Sequence, residues 1–177
     1  EAIVVTASAC GVMVKDYGHL LRDDAAYAAK ARRISELARD CVEVVASEWK
    51  KIAPKVAMDF GPQKVAFHSP CTLQHGQKIR GRVEEILAAL GLELVPVANG
   101  HLCCGAAGTY SILQPELSAQ LRANKLAALQ ADKPDVIVSA NIGCLTHLAG
   151  GTSRPVRHWI ELLDARIHEG QLENLTL

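Results

Sequence analysis

Four short runs of apolar, mostly β-branched residues recur along the chain, and each ends in small or polar residues. They are AIVVTAS at 2–8, KVAFHS at 64–69, LELVPV at 92–97 and DVIVSAN at 135–141. Such runs are typical of strands in a parallel sheet, because both faces of that sheet are covered. The pattern therefore predicts four buried parallel strands.

Longer stretches with apolar residues at helical spacing lie between or after these runs. Residues 23–52 form one such stretch, residues 81–91 end at a C-cap glycine, and residues 114–134 end at a proline. Residues 154–167 predict a closing helix packed on the sheet. Strands that alternate with helices indicate an α/β fold, with Rossmann-like parallel sheets and flanking helices.

A weak internal repeat relates the first strand to the last. IVVTASACGVMV and VIVSANIGCLTHL both run from a buried strand through small residues to a cysteine, Cys10 in the first and Cys144 in the second. We predict the end of one repeat over residues 1–60 and a complete repeat over 61–177, joined near APKVAMDFGPQ. Because the chain opens on a strand without an initiator Met, we expect it to belong to a longer protein.

Net charge and hydropathy limit the classes of partner that the chain is expected to bind. The 177 residues carry 19 Lys and Arg against 19 Asp and Glu, so no net charge favours nucleic acid. The apolar runs are shorter than the ~20 residues of a membrane span, so we expect membrane contact only through partners. With no signal peptide visible, we expect a reducing cytoplasm, or a peripheral position at the inner face of the cell membrane.

Six cysteines are the main chemical feature, and four of them follow predicted strands. These four are Cys71, the adjacent pair Cys103 and Cys104, and Cys144. Ligands of open parallel sheets bind outside the carboxyl ends of the strands, so we expect the four thiols to converge. Cys41 lies in a helical stretch and is expected to be an ordinary core residue.

The residues around the adjacent pair favour a metal or redox site over a disulfide. A disulfide framework is atypical of a cytosolic chain, and joining Cys103 to Cys104 would strain the peptide between them. Residues 105–108 are Gly-Ala-Ala-Gly, which lets the backbone approach a bulky inorganic ligand and direct amides at its sulfurs. Pro70 and the helix entry after Cys71 favour a thiolate there.

Three motifs, HSPCTLQHG, CCGAAGTY and SANIGCLTHL, resemble in order and spacing the cysteine-rich CCG domain. With TASACGVMVKDYGHLL, the sequence is most similar to the C-terminal part of glycolate oxidase iron-sulfur subunits. The resemblance implies an iron-sulfur cluster of the 4Fe-4S type in the full-length protein. Its expected cofactor-binding residues are Cys71, Cys103, Cys104, Cys144 and, from the first repeat, Cys10.

The last motif departs from the family pattern, which has Cys-x-x-Cys where this chain has Cys144-Leu-Thr-His147. His147 is therefore a candidate metal ligand beside Cys71, Cys103, Cys104 and Cys144. His68, His75 and His101 lie near the same motifs, and the sequence leaves open whether they line the site or are ordinary strand-end and loop histidines. An iron-sulfur cluster, a zinc ion or an empty reduced site remain open for this part of the protein.

The resemblance implies an electron-transfer subunit that passes electrons from a flavoprotein partner, which oxidises glycolate or another 2-hydroxy acid, toward the quinone pool. No flavin-binding loop is visible, so we expect the substrate chemistry in the partner, and whether this chain is itself an enzyme stays open. The alternative is a zinc-stabilised module that docks subunits without a redox role. A thiol-disulfide reductase using Cys103 and Cys104 ranks last, because it lacks a Cys-x-x-Cys at a helix start.

Overall fold

The computed structural model describes residues 1–55 and 63–173, with side chains as far as residue 167. The strands of the described part are β1 (Ile3–Val5), β2 (Ala38–Asp40), β3 (Lys64–His68), β4 (Glu93–Leu94), β5 (Val136–Ser139) and β6 (Val156–His158). Its α-helices are α1 (Ser8–Leu20), α2 (Ala28–Leu37), α3 (Cys41–Ile52), α4 (Arg82–Ala89), α5 (Tyr110–Leu113), α6 (Pro115–Gln130), α7 (Ile142–Ala149) and α8 (Trp159–Glu173). A 3-10 turn at Ala53–Lys55 and a π-helical turn at Thr72–Gly76 complete the order.

The larger sheet has four strands in the order β4-β3-β5-β6, and all its pairs are parallel. The chain moves outward from β3 to β4, then crosses back over β3 to β5 and on to β6. The carboxyl ends of β3 and β5 therefore form a topological switch point, where open α/β sheets place their ligands. β1 and β2 form a separate two-stranded parallel sheet, and the predicted α/β class is confirmed.

The alternation of side chains along the central strands builds a core on each face of the larger sheet. On β3, Val65 and Phe67 belong to the larger cluster, whereas Ala66 belongs to the smaller one. The larger cluster includes residues of α3, α4 and α8, and the smaller one includes residues of α6 and α7. Trp159 at the start of α8 is fully buried, so the closing helix packs on the sheet as predicted.

The four predicted strands are present as β1, β3, β4 and β5, but only β3 and β5 are buried as predicted. In β1, which lies in the separate two-stranded sheet, Ile3 and Val4 are 39% and 50% exposed. Two further short strands also differ from the expectation. β2 interrupts the long helical stretch over 23–52 and divides it into α2 and α3. It forms because Ala38–Asp40 pairs with β1. This pairing joins residues that are distant in sequence, so local helix propensity does not predict it. β6 precedes the closing helix for the same reason, because it pairs with β5.

Polar contacts join the first 52 residues to the larger sheet and the turn that follows β3. The Gln77 amide donates to the Asp40 carboxylate at 2.9 Å and to the Ser8 carbonyl at 3.1 Å. The hydroxyls of Ser8 and Thr72 lie 2.7 Å apart, and a His158 ring nitrogen lies 2.9 Å from the Thr6 carbonyl oxygen. These contacts hold the start of α1 beside the carboxyl edge of the larger sheet.

The predicted joint near APKVAMDFGPQ falls largely on residues 56–62, outside the described part of the chain. The division into two repeats at residue 60 therefore stays a prediction. Within the described residues, no helix is both long enough and apolar enough to cross a membrane.

Candidate metal centre

The loops at the carboxyl edge of the larger sheet carry the four cysteines. Cys71 follows β3 and immediately precedes the π-helical turn, and Cys144 is the third residue of α7, which follows β5. Cys103 and Cys104 lie on the long connection between β4 and α5. Because β3 and β5 are adjacent, their loops meet at the switch point, and the connection from β4 brings the pair to the same place.

The four cysteines line one cavity of about 660 Å³. Cys104 and Cys144 are buried, whereas Cys71 and Cys103 are half-buried. The rest of the wall is mostly small residues from the loops and helix starts: Ala9, Cys10, Thr72, Ala106, Ala107, Gly108, Ser111, Asn141, Ile142, Gly143, Thr146 and His147. Small side chains leave room for a group much larger than a water molecule in front of the thiols.

The thiols interact with one another in a continuous series, Cys71 with Cys103, Cys103 with Cys104, and Cys104 with Cys144. Hydrogen bonds from the neighbouring thiols Cys104 and Cys71 lower the pKa of Cys103 far below its ordinary value. A hydrogen bond from Cys104 is also the largest cause of the lowered pKa of Cys144, about 5. As the donors in these bonds, Cys104 and Cys71 have raised pKa values. Before any metal binds, Cys103 and Cys144 thus favour the thiolate form, whereas Cys71 and Cys104 favour the thiol form. The expectation of a thiolate at Cys71 is wrong, because Cys71 is the donor in its hydrogen bond to Cys103.

Main-chain and amide groups stabilise two of the sulfurs. The Gly105 N–H donates to the Cys103 sulfur at 3.3 Å, and the Asn141 side-chain amide donates to the Cys144 sulfur at 3.5 Å. Both distances suit hydrogen bonds to sulfur, and each such bond favours the thiolate form of its acceptor.

Gly105 is required by its backbone conformation and by its neighbours. Its φ is +94°, and a Cβ atom there would lie 2.6 Å from the Ser118 carbonyl oxygen and 3.2 Å from a ring nitrogen of His147. Ala107 and Gly108 also have positive φ angles, +24° and +57°. The glycine therefore lets the turn that carries the cysteine pair pack directly on α6 and α7.

His147 lines the cavity, but its ring already has polar neighbours. Its Nε2 lies 3.3 Å from the Ser118 hydroxyl and 3.4 Å from the Ser118 carbonyl oxygen. The Ser118 hydroxyl in turn donates to the Gly105 carbonyl at 2.9 Å. The structure thus places His147 beside the turn that carries the cysteine pair, where it joins α7 to α6 through Ser118.

His68 lies beside the thiols, whereas the sequence alone left open whether it, His75 or His101 lines the site, and the last two do not line this cavity. One of its ring nitrogens and the sulfurs of Cys104 and Cys144 all lie within 4.8 Å of one another, and all three side chains are buried. The available signal was a lone histidine at the end of an apolar strand, immediately before Ser-Pro-Cys. Alternation along β3 puts this histidine on the face of Ala66, the same face as Cys104 and Cys144.

Cys10 lines the same cavity from α1 and is exposed. It is the third residue of a helix that follows a strand, as Cys144 is, so the local pattern of the predicted repeat is present in the structure. The Ala9 N–H donates to the Asn141 side-chain oxygen at 3.3 Å. The start of α1 therefore contacts the start of α7 at the edge of the site.

Cys41 lies apart from the site, as predicted. It is 5% exposed and belongs to the larger core cluster, on the opposite face of the sheet from Cys104 and Cys144. Burial, followed by the neighbouring Asp40 carboxylate, raises the pKa of its thiol to about 12. Cys41 is thus a neutral core residue at neutral pH.

Lys125 is a buried cation close to the cysteine pair. It is 3% exposed, and its ammonium donates to the Asn99 carbonyl at 2.9 Å. Burial lowers its pKa, and negative charge on Cys104 and Cys103 opposes that shift. The lysine therefore places positive charge beside the thiolates.

The donor set fits a thiophilic metal centre. Four thiols from three separate loops converge on one cavity, two of them with lowered pKa values. The buried His68 ring has no nitrogen or oxygen partner among the described residues for either ring nitrogen. Thiolates and imidazole are the ligands of zinc and of iron-sulfur clusters, whereas hard cations prefer oxygen ligands.

Comparison with known proteins places these motifs in a family. A profile of the cysteine-rich domain CCG matches residues 65–149. The chain is 52% identical over 170 residues to the glycolate oxidase iron-sulfur subunit of Escherichia coli, covering 96% of this chain but 40% of that protein. It is 31% identical over 182 residues to lactate utilization protein A of Geobacillus thermodenitrificans, covering 94% of this chain and 71% of that protein.

The matched residues 65–149 include all four cysteines of the cavity together with His68 and His147. The resemblance read from the three motifs is thereby confirmed. The chain belongs to the cysteine-rich CCG domain family, together with the glycolate oxidase iron-sulfur subunit and lactate utilization protein A.

Proposed function

We propose that this chain is the cysteine-rich part of an electron-transfer subunit in a complex that oxidises a 2-hydroxy acid. The observation that carries the proposal is the convergence of Cys71, Cys103, Cys104 and Cys144 on one cavity at the switch point of the sheet. The printed names of the relatives, an iron-sulfur subunit and a lactate utilization protein, support the same class of function.

The cofactor proposed for this cavity is an iron-sulfur cluster, of the 4Fe-4S type in the full-length protein. The four cysteines are its proposed thiolate ligands, and Cys10 belongs to the equivalent position of the preceding repeat. When bound, such a cluster accepts and donates single electrons at a potential set by its surroundings.

The chain's own residues would set that potential and exclude water. The Gly105 N–H and the Asn141 amide donate hydrogen bonds to the ligand sulfurs, which offset negative charge on them. The buried Lys125 ammonium acts in the same direction. Ala106, Ala107 and Ile142 line the cavity with apolar surface.

The proposed electron donor is a flavoprotein subunit that oxidises the 2-hydroxy acid, and the proposed destination is the quinone pool. Glycolate is the proposed acid, because the relative with 52% identity is a glycolate oxidase subunit. The proposed location is the cytoplasm, with peripheral contact at the inner face of the membrane through partners.

Metal and sulfide analysis of the anaerobically reconstituted full-length protein tests the proposal. We expect iron with inorganic sulfide, and a paramagnetic signal on reduction or oxidation. Bound zinc without sulfide, or metal-free reducible thiols, would refute the electron-transfer function.

A zinc-stabilised docking module is the second candidate, and one observation favours it. His68, Cys104 and Cys144 offer three ligand atoms within 4.8 Å of one another, a spacing that suits a single ion. Structural zinc contributes directly to folding, so chelation would then unfold the domain and release its partner subunits together.

A further inference from the structure

The buried imidazole of His68 is the strongest unexplained feature near the site. The residue is 1% exposed and ends β3, with its carbonyl accepting a hydrogen bond from the Ser139 hydroxyl at 2.9 Å. Neither ring nitrogen has a nitrogen or oxygen hydrogen-bond partner among the described residues. The ring's polar neighbours are cysteine sulfurs, since it interacts by a hydrogen bond with Cys144 and lies near Cys103. At least one ring nitrogen is still without a partner, and leaving a buried polar group unsatisfied costs about 1–3 kcal/mol.

The position of the ring specifies the kind of partner. One ring nitrogen and the sulfurs of Cys104 and Cys144 lie within 4.8 Å of one another. In a tetrahedral site two thiolates bound at about 2.3 Å lie roughly 3.8 Å apart, and an imidazole nitrogen bound at about 2.0–2.1 Å lies slightly closer to each, so the bound of 4.8 Å is about 1 Å wider. The three atoms therefore approach the spacing of ligands that share one metal.

The backbone holds the ring in this place. His68 is on a central strand whose neighbours Phe67 and Ala66 are buried in the two cores. Ser139, which pairs with His68 in the register of β3 and β5, donates its hydroxyl hydrogen bond to the His68 carbonyl oxygen. The imidazole is thus fixed on the inner side of the site, whereas His147 is on the cavity wall and has Ser118 as its partner.

We propose that His68 supplies a nitrogen ligand to the metal centre, beside Cys104 and Cys144. The candidate ligand set then has five members, His68 and the four cysteines, so the four cysteines proposed above would not be the whole set. This inference rests on the proposed metal centre but not on its being an iron-sulfur cluster, because a zinc ion would use the same nitrogen.

The test is pulsed electron paramagnetic resonance of the full-length, iron-reconstituted protein grown with ¹⁵N-histidine. We expect strong hyperfine coupling to one histidine nitrogen, retained in His147→Gln and lost in His68→Gln. If the wild-type protein shows only the weak coupling of a hydrogen-bonded or distant nitrogen, the proposal is wrong. It is equally wrong if the strong coupling disappears in His147→Gln.

Two further measurements separate the possible failures. If the protein binds zinc without iron, the electron-transfer function fails, and zinc-edge X-ray absorption then shows whether a nitrogen ligand is present and depends on His68. Because His68 is buried, His68→Gln could fail to fold, and circular dichroism of the metal-free variant detects this. In that case, strong coupling that His147→Gln retains supports the proposal, because His68 and His147 are the histidines that the described residues place at the site, and weak coupling or its loss in His147→Gln refutes it.

Discussion

At the scale of single residues, the site consists of thiols whose chemistry is set by their immediate neighbours. Cys103 and Cys144 accept hydrogen bonds and have lowered pKa values, whereas Cys41 is surrounded by apolar core and Asp40 and has a raised one. Residues of the same type thus differ in protonation state because of burial and hydrogen bonding. Three predictions follow from these surroundings.

Replacing Cys103 or Cys104 with serine removes a thiolate that a neutral hydroxyl cannot match as an iron ligand. We expect each variant to lose the cluster or to hold an altered one, measured as iron and sulfide per chain. Cys41→Ser is the control, because Cys41 packs in the other core cluster, and it should keep the wild-type iron content. Full iron content in the Cys103 and Cys104 variants would contradict their assignment as ligands.

Alkylation of the reduced, metal-free protein tests the directions in which the pKa values of Cys103 and Cys41 are shifted. Because the Cys103 pKa is lowered, its thiolate persists below the ordinary thiol pKa of 9.0, and its reaction with iodoacetamide should change little between about pH 8 and about pH 6. An ordinary thiol slows roughly tenfold per pH unit over this range. Cys41, with its pKa raised to about 12 and 5% exposure, should remain unmodified. Peptide mapping by mass spectrometry follows both residues, and a Cys103 rate that falls steeply with pH would refute the interpretation.

Lys125→Met removes a buried positive charge beside the cysteine pair. Without this charge the reduced form of the cluster is less stabilised. We therefore expect the midpoint potential to fall by on the order of 50 mV, close to a tenfold change in the one-electron equilibrium. The matched control is Lys51→Met, whose side chain is 78% exposed and whose charge is screened by solvent. A redox titration that gives the same potential for Lys125→Met and wild type would exclude this electrostatic role.

At the scale of elements, the carboxyl ends of the strands decide which residues meet. The apolar runs predict β1, β3, β4 and β5, and the strand-end rule predicts the convergence of Cys71, Cys103, Cys104 and Cys144 that the structure shows. β2 and β6 were missed because each has three residues and forms only through pairing with a distant strand. The sequence left the role of His68 open, because a strand-end histidine is as often an ordinary structural residue as a site residue, and only the packing of the loops shows that the sulfurs of Cys104 and Cys144 lie beside it.

Substitution of Gly105, in the turn after the cysteine pair, tests whether packing between elements holds the site together. Gly105→Ala places a Cβ 2.6 Å from the Ser118 carbonyl oxygen, so we expect a loss of about 2–4 kcal/mol in unfolding free energy and weaker metal retention. Gly108→Ala is the matched control, since its φ is also positive but its Cβ would meet nothing within 4 Å. It should cost about 1 kcal/mol, from backbone strain alone. Denaturant unfolding measures both variants, and equal losses would show that the contact with Ser118 does not matter.

At the scale of the whole molecule, the site lies where two parts of the chain meet. The start of α1 brings Cys10 to the cavity that the larger sheet builds, and contacts of Ser8 with Thr72 and of Gln77 with Asp40 fix this approach. The cavity therefore faces the segment that carries Cys10, which the sequence predicts to be the equivalent cysteine of a preceding repeat. Such an arrangement suits a subunit that passes electrons between centres, because the site is open at one side and buried at the other.

In the assembled complex, Cys104→Ser should separate substrate oxidation from electron delivery. The substrate chemistry is proposed for the flavoprotein partner, so reduction of an artificial dye by the 2-hydroxy acid should continue near the wild-type rate. Reduction of quinone should fall by at least roughly tenfold, because the proposed electron path runs through the centre that Cys104 ligates. Cys41→Ser in the same complex should leave both activities unchanged, since its side chain packs on the opposite face of the sheet.

Loss of both activities together with dissociation of the subunits would instead support the zinc docking module, since the metal would then be needed for folding and assembly. Full quinone reduction by Cys104→Ser would show that electrons do not pass through this centre.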